Sequence, residues 1–396
     1  MVLLVLLVVV CAVGCCSASS LQPIGPLPNS VGFLTVGDWG DVEAKKVADS
    51  MGDWAQRMDA KAVLSLGDLF YEDGVSGVDD PQFTDKFEQT FTAPSLQVPW
   101  ITCTGNHDWY GGVESIDAEL QYTHRSPRWH FPALNFTYTL HGPGGLRVLV
   151  ASVDTWLLCG GDSFTYFERE GPPDDAHPGR LKVYLKNKRR LEDEYDAGTI
   201  DEGKYRALSR LDEKPPPPTP LAGPVGNIGN ATSVAAAGEG RDDGGLDGRM
   251  LQWLRDELRK SDADWKIVIG HFTIYSSSLF EHGDNPTLIE RLVPVLKEGG
   301  VDVYFNGHDH ILQHIVRDGI HYIGSGAGAR VHHMANRFYE GLKYAHLSHF
   351  GYTAHSVNKT HFQGSFHLED GREVYSFLFS KPAAGSRQAE AAEVVE

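Results

Sequence analysis

From Val31 onward the chain repeats one unit, a short apolar run rich in β-branched residues that stops at a sharp polar turn. Val31–Val36 runs into Gly37-Asp38, Ala62–Leu66 into Gly67-Asp68, and Trp100–Thr104 into Gly105-Asn106-His107. Ile267–Ile269 meets Gly270-His271, Val301–Phe305 meets Asn306-Gly307-His308, and Leu146–Val153 is a further run of the same kind. Apolar runs with no alternating polar face predict strands buried on both sides. Helical stripes lie between them. Val47, Met51, Trp54 and Met58 recur at helical spacing, as do Met250, Leu254 and Leu258, and Pro286 opens another apolar-striped segment ending at Gly299. Strand, loop and helix in alternation predict an α/β core. From Ala345 to Ser380 short strands and turns alternate without a helix, which predicts antiparallel pairing at the far edge of that core.

With 396 residues the chain has ample length for one large core and an insertion. Gly160 to Gly245 departs from the pattern, with mixed charge, the prolines Pro215–Pro218 and a Gly/Ala/Asn-rich stretch. It reads either as a solvated, partly disordered insertion with one charged helix near Leu181–Tyr195, or as a lid, since it leaves the core just after a strand end. The expected organisation is a single domain over residues 30–380, interrupted by 160–245, and a disordered tail over 381–396.

Met1 to Val13 is almost unbroken Val and Leu, followed by small residues through Ser20. This predicts a secretory signal peptide, residues 1–18, cut near Ala18; a membrane anchor needs about 20 apolar residues and the run falls short. A secreted or endomembrane, lysosome-like location follows, with no membrane attachment after cleavage. Cys11, Cys15 and Cys16 would leave with the leader, so Cys103 and Cys159 are too few for a disulfide scaffold. Asn135, Asn230 and Asn358 open glycosylation sequons, which matter only in an exported chain. The net charge of −18 argues against a nucleic-acid-coating surface.

In open α/β sheets ligands collect beyond the carboxyl ends of the strands. Those ends deliver Asp38, Asp68, Asn106, His271, His308 and His310, with Tyr71 three residues after Asp68. Singly, each has a plain structural use as a helix cap, a turn residue or a satisfied polar group. Together they form a mixed nitrogen and oxygen set suited to first-row metals, without thiolate. A carboxylate in such a set can bridge two ions about 3.5–4 Å apart. Gly307 is expected to turn the backbone so that the rings of His308 and His310 both reach the metals. Gly324-Ser325-Gly326-Ala327-Gly328 lacks a following helix with lysine and reads as a tight turn after Ile320–Ile323, not a phosphate cradle.

At these residues the sequence resembles the purple acid phosphatases, in particular the small tartrate-resistant type, within the calcineurin-like metallophosphoesterases. The motifs are Gly37-Asp38-Trp39-Gly40, Gly67-Asp68-Leu69-Phe70-Tyr71, Gly105-Asn106-His107-Asp108, Val268-Ile269-Gly270-His271 and Gly307-His308-Asp309-His310. The resemblance implies a four-layer α/β/β/α sandwich, two mixed sheets flanked by helices. Most of the superfamily has histidine where this chain has Gly40, and lacks a tyrosine at the place of Tyr71. The resemblance implies that Asp38, Asp68, Tyr71 and His310 hold Fe³⁺. Asp68 would bridge to Fe²⁺, or Zn²⁺ or Mn²⁺, held also by Asn106, His271 and His308. Two cations depress the pKa of bound water, so hydroxide on the metals attacks a phosphate monoester in line and an alcohol leaves.

His107 and His282 match second-sphere histidines of the family and are candidates either for protonating the leaving alcohol or for orienting substrate. The implied activity is that of an acid phosphatase acting as a monomer on small phosphomonoesters or phosphoproteins. The alternatives are a Mn²⁺- or Zn²⁺-dependent phosphodiesterase of the same superfamily, or a non-catalytic metal- or phosphate-binding protein. Small members pair a cysteine at the place of Cys159 with one shortly after the His282 motif. Here Asp284–Ile289 contains none.

Overall fold

The computed structural model describes residues 25–159, 246–278, 283–331 and 340–381. The expected leader, the insertion with its charged helix, the His282 loop and the tail beyond Lys381 lie outside the described residues.

Each β-branched run becomes a strand. In the first sheet β1 (Val31–Val36), β2 (Ala60–Leu66), β3 (Trp100–Cys103) and β4 (Trp129–His130) pair in parallel in that order. β12 (Gly351–Val357) lies antiparallel on the other side of β1, with Val31 opposite Val357, and β13 (His361–Leu368) and β14 (Glu373–Ser380) continue antiparallel to the edge. In the second sheet β6 (Leu146–Ser152), β7 (Trp265–Ile269), β8 (Val303–Asn306) and β10 (Ile320–Ser325) are parallel neighbours. β5 (Phe136–Gly142) flanks β6, and β9 (Leu312–Arg317) and β11 (Leu342–His346) extend past β10, all antiparallel. Antiparallel pairing after Ala345 therefore holds for β12 to β14. Ala345 itself lies in β11, at the edge of the opposite sheet.

The unbroken apolar runs are explained by strands that face two cores at once. Ile267, Ile269, Val303 and Phe305 point into the core between the sheets, whereas Val268 and Tyr304 point into the core beneath the outer helices. Phe33 of β1 meets Phe305 of β8 edge-on across the sandwich, ring centroids 6.1 Å apart. Helix α1 (Lys45–Arg57) covers the first sheet with Val47, Met51 and Trp54 buried. Helix α2 (Leu246–Lys260), about four turns long, buries Met250, Leu254 and Leu258 against the second. The result is four layers, α/β/β/α. The segment from Pro286 to Gly299 is two short helices, α3 (Pro286–Arg291) and α4 (Val293–Glu298), where one stripe was expected. Pro294 has no N–H to continue the ladder, so the helix restarts there. Cys103 is buried in β3 and neither it nor Cys159 is in a disulfide.

Because β1, β2, β3, β7 and β8 run in parallel within their sheets, their carboxyl ends open onto one rim of the sandwich. That rim carries the expected ligands.

Candidate metal centre

Three of the rim turns place a non-glycine residue in the left-handed region: Asp38 at φ 59°, Asp68 at φ 51° and His308 at φ 70°. This backbone costs about 1–2 kcal/mol for a side-chain-bearing residue, and aspartate tolerates it better than most. The turn expected at Gly307 therefore falls at His308, and Gly307 serves a different purpose. A Cβ there would lie 2.3 Å from Asp38 Oδ2 and 2.8 Å from the Leu66 carbonyl, so the absence of a side chain lets the two sheets close on each other.

Two linked clusters result. In the first, the Tyr71 hydroxyl donates to Asp38 Oδ1 at 3.1 Å and lies 3.1 Å from His310 Nε2, which is 3.4 Å from Asp38 Oδ1. In the second, His271 Nε2 lies 3.1 Å from Asn106 Oδ1, 3.3 Å from Asp68 Oδ1 and 3.2 Å from His308 Nδ1. Asp68 belongs to both, since donor atoms of Asp38, Asp68 and His310 all lie within 4.8 Å of one another. All seven expected ligands are thus brought together at one rim.

Neighbours aim these groups. His271 Nδ1–H donates to the Leu66 carbonyl at 2.8 Å, which turns Nε2 inward. The Asn106 amide nitrogen donates to the Tyr110 hydroxyl at 3.0 Å, which turns its oxygen inward. His308 N–H donates to Asp38 Oδ2 at 2.9 Å, and His107 N–H to Asp68 Oδ1 at 2.9 Å.

The electrostatics are those of a site built for cations. Burial, reinforced by Asp68, holds the Asp38 carboxyl well above the usual range despite His271. Burial also acts to raise Asp68, but His271 and His107 outweigh it and hold that carboxyl well below the usual range. Burial opposes charge on His271, yet Asp68 and Asp38 push it up to about 10. Burial and the two carboxylates raise the Tyr71 phenol. Without metal, positive charge on His271 offsets part of the buried negative charge. The donor set of carboxylates, imidazoles, amide oxygen and phenol fits first-row cations that would take that place.

Gly40 explains the phenol. A Cβ at Gly40 would lie 2.6 Å from Phe70 N and 2.8 Å from the Asp68 carbonyl, so this position cannot carry an imidazole. The close approach lets Gly40 N–H donate to the Asp68 carbonyl at 3.1 Å and Tyr71 N–H to the Gly40 carbonyl at 3.0 Å. Tyr71 is thereby carried to the cluster.

His107 is the candidate proton donor within the described residues; His282 lies outside them. The His107 ring packs edge-on to Tyr71, and its Nδ1–H donates to the Glu72 carbonyl at 2.6 Å. Its Nε2 lies 4.0 Å from Asp68 Oδ2 and the side chain is 19% exposed, so it reaches the open side of the rim. Asn135 is half-buried just before β5, and Asn358 occupies the turn between β12 and β13, where its Oδ1 accepts from Thr360 N–H at 3.0 Å. Asn230 lies outside the described residues.

Two buried carboxylates with no place among the expected ligands hold the rim together. Asp108 Oδ1 accepts from Leu69 and Phe70 N–H at 2.8 and 3.2 Å and Oδ2 from Gly105 N–H at 2.7 Å, tying the Asp68 turn to the Asn106 turn. Burial and Asp68 push its carboxyl up to about 7 against those N–H groups. Asp154, at the end of β6, accepts from Thr104 Oγ1, Trp109 Nε1 and Leu157 N–H. The sequence signal for it was the apolar run that precedes it, the same as for the ligands. We expect Asp108→Ala to lower stability by about 3–5 kcal/mol, because three buried N–H groups lose their acceptor; urea denaturation of the metal-free protein measures it. The tight turn expected over Gly324–Gly328 is replaced in part by strand: Gly324 and Ser325 continue β10, after which Gly326 N–H donates to the Ile311 carbonyl and Gly328 N–H to the Gly37 carbonyl.

A sandwich of two mixed sheets with carboxylates and imidazoles converging at the strand ends defines a metal-dependent phosphoesterase. The sequence pattern of the calcineurin-like phosphoesterases matches residues 32–196 and 201–312. Purple acid phosphatase 17 of Arabidopsis thaliana is 30% identical over 308 residues, 76% of this chain and 69% of that protein. Human tartrate-resistant acid phosphatase type 5 is 29% identical over 312 residues, 75% of this chain and 72% of the relative. The chain belongs to the calcineurin-like phosphoesterase family, among its purple acid phosphatases, and membership implies a binuclear metal centre. In fold it is similar to GAP50, described as the anchor in the inner membrane complex of Plasmodium, with a TM-score of 0.61 at 19% identity, covering 92% of this chain and 94% of that one. No helix among the described residues is long and apolar enough to cross a membrane.

Proposed function

We propose that this chain is an exported acid phosphatase that hydrolyses phosphate monoesters at a mixed-valence centre. Asp38, Asp68, Tyr71 and His310 hold Fe³⁺; Asp68, Asn106, His271 and His308 hold Fe²⁺ or another divalent ion. The observation that carries the reading is the pairing of Gly40 with Tyr71. A position with no room for an imidazole sits beside a phenol hydrogen bonded within the carboxylate cluster, and a phenolate is a hard ligand that favours the ferric ion. Residues 30–380 form the catalytic domain in this reading, with 160–245 inserted and 1–18 removed on export.

When bound, the metals supply Lewis-acid neutralisation of the phosphoryl group and an activated water. The chain's own residues do the rest. His271 and Asn106 present their inward atoms because Leu66 and Tyr110 hold the opposite ends of those side chains. His107 Nδ1–H is held by the Glu72 carbonyl, which turns Nε2 toward the open side, where a proton taken up by Nε2 would lie beside a departing alkoxide. Transfer of that proton to the ester oxygen completes hydrolysis.

Metal analysis with an absorption spectrum tests the reading. We expect about one iron per chain in the ferric position and a visible phenolate-to-iron band that disappears in Tyr71→Phe. A colourless protein whose hydrolysis requires added Mn²⁺ points instead to the phosphodiesterase branch. A protein that binds metal but leaves aryl phosphates intact points to a binding role.

A further inference from the structure

Besides the edge-on ring of His310, 6.3 Å away between centroids, the Tyr71 ring meets two closer groups. One is His107, with ring centroids 4.4 Å apart; the other is the guanidinium of Arg330, 3.7 Å from the ring centroid. Arg330 is fixed from two directions. Its backbone follows the Gly-rich turn after β10, where Gly328 and Ala329 N–H donate to the Gly37 and Asp38 carbonyls at 3.1 and 2.9 Å. Its guanidinium is spread between Asp41, reached by Nη2 at 3.1 Å, and Glu72, reached by both terminal nitrogens. Asp41 follows Asp38 and Glu72 follows Tyr71 along their respective turns, so the two carboxylates hold the cation where those turns meet. A planar guanidinium can present a fork of N–H groups to two carboxylates while its flat face stacks on a ring, a geometry that an ammonium does not reproduce. The side chain is 26% exposed, so solvent screens this attraction only in part.

We infer that Arg330 is a positioning residue for Tyr71: anchored by Asp41 and Glu72, it fixes the plane of the phenol and sets a positive charge against the ring whose oxygen faces Asp38 and His310. The inference rests on Tyr71 being a metal ligand. A cation over the ring stabilises the negative phenolate more than it affects a metal beyond the oxygen. Its loss raises the filled phenolate orbitals and lowers the energy of charge transfer to iron. It also frees the ring to tilt, which weakens retention of the ion, and outer partners of ligands commonly change affinity by about 10–100-fold.

The experiment compares the purified metal-loaded protein with Arg330→Met, Arg330→Lys and the Asp41→Asn/Glu72→Gln double variant. The readouts are the position of the visible band and the rate of metal loss to a chelator. Arg330→Met should move the band to longer wavelength and speed metal loss about 10-fold. The double variant, which frees the guanidinium, should shift both in the same direction, and Arg330→Lys should fall between wild type and Arg330→Met. Should Arg330→Met fail to fold, the double variant decides, because its two side chains lie at the surface. Wild-type band position together with wild-type metal loss in the folded variants overturns the inference. A colourless wild-type protein rejects iron by itself, and the role of Arg330 is then judged on the loss of whichever metal copurifies: faster loss supports it, unchanged loss rejects it.

Discussion

Replacing Asp68 by alanine is expected to lower kcat/KM at least 1,000-fold, an estimate of about 4 kcal/mol or more in transition-state stabilisation, and to empty both metal positions. The expectation follows from where the carboxylate sits. Its oxygens lie 3.3 Å from His271 and 4.0 Å from His107, and within 4.8 Å of donor atoms of Asp38 and His310. Asp68 thus reaches side-chain atoms of both clusters, whereas Asp38 meets the second through the His308 backbone N–H. Its loss also leaves His271 without the partner that most favours its charge. Metal content measured alongside kcat/KM separates this from a local defect. A variant that keeps both ions and a tenth of the activity would show that Asp68 is not shared.

The dependence of stability on acid, by contrast, involves histidines remote from the rim. His314, His321, His355 and His367 lie on β9, β10, β12 and β13 and are packed on aromatic rings: His314 on Phe377, His321 on Phe379, His355 on Phe33 and His367 on Trp54. Burial pushes His314 and His367 down to about 3 and His321 to about 4; His321 and Lys343 act in the same direction on His314, Lys343 on His321 and Arg57 on His367, and burial also holds His355 well below the ordinary value. An unfolded histidine takes up its proton near pH 6.5, whereas these folded ones resist until about pH 3 to 4. The unfolded chain therefore binds more protons across that window, and stability falls as pH drops below about 6.5.

Each such histidine contributes a slope of up to about 1.4 kcal/mol per pH unit. His367→Phe keeps the aromatic contact with Trp54 and removes one proton from the linkage; the loss of the Nε2 contact with Ser365 Oγ, 2.7 Å, lowers stability alike at both pH values and cancels in their difference. We expect it to recover about 3 kcal/mol of the stability lost between pH 6.5 and pH 4, measured as the difference between urea unfolding free energies at the two pH values. Parallel losses in variant and wild type would show that His367 is solvated when folded. An enzyme active in acid thus carries a scaffold that acid weakens.

The strands that build the rim were legible as continuous apolar runs because each faces two cores, one between the sheets and one under the helices. Asp38, Asp68, Asn106, His271 and His308 were legible because each closes such a run. Asp154 closes one too, at the end of β6, yet its side chain turns inward to Thr104, Trp109 and Leu157 N–H and stays out of the metal clusters. Position at a strand end therefore selects candidates, while the direction of the side chain depends on the local turn and on partners distant in the chain. The turn at His308 shows the same thing: glycine at 307 suggested the bend, but the need at 307 was space beside Asp38. Arg330 was invisible for a related reason. Nothing in Gly328-Ala329-Arg330 signals a site, and its role arises only where two turns of the first sheet meet a loop of the second.

By itself the sequence determined the residue chemistry of the rim, the α/β class and membership in a phosphoesterase family, because these follow from composition and spacing along a strand and need no knowledge of what lies opposite. What needed the folded chain was that Asp38 accepts from the His308 N–H, that Gly40 leaves no room for an imidazole, and that a guanidinium lies against Tyr71. Those are contacts between segments as much as 289 residues apart, as between Asp41 and Arg330, and they are set by how two sheets pack.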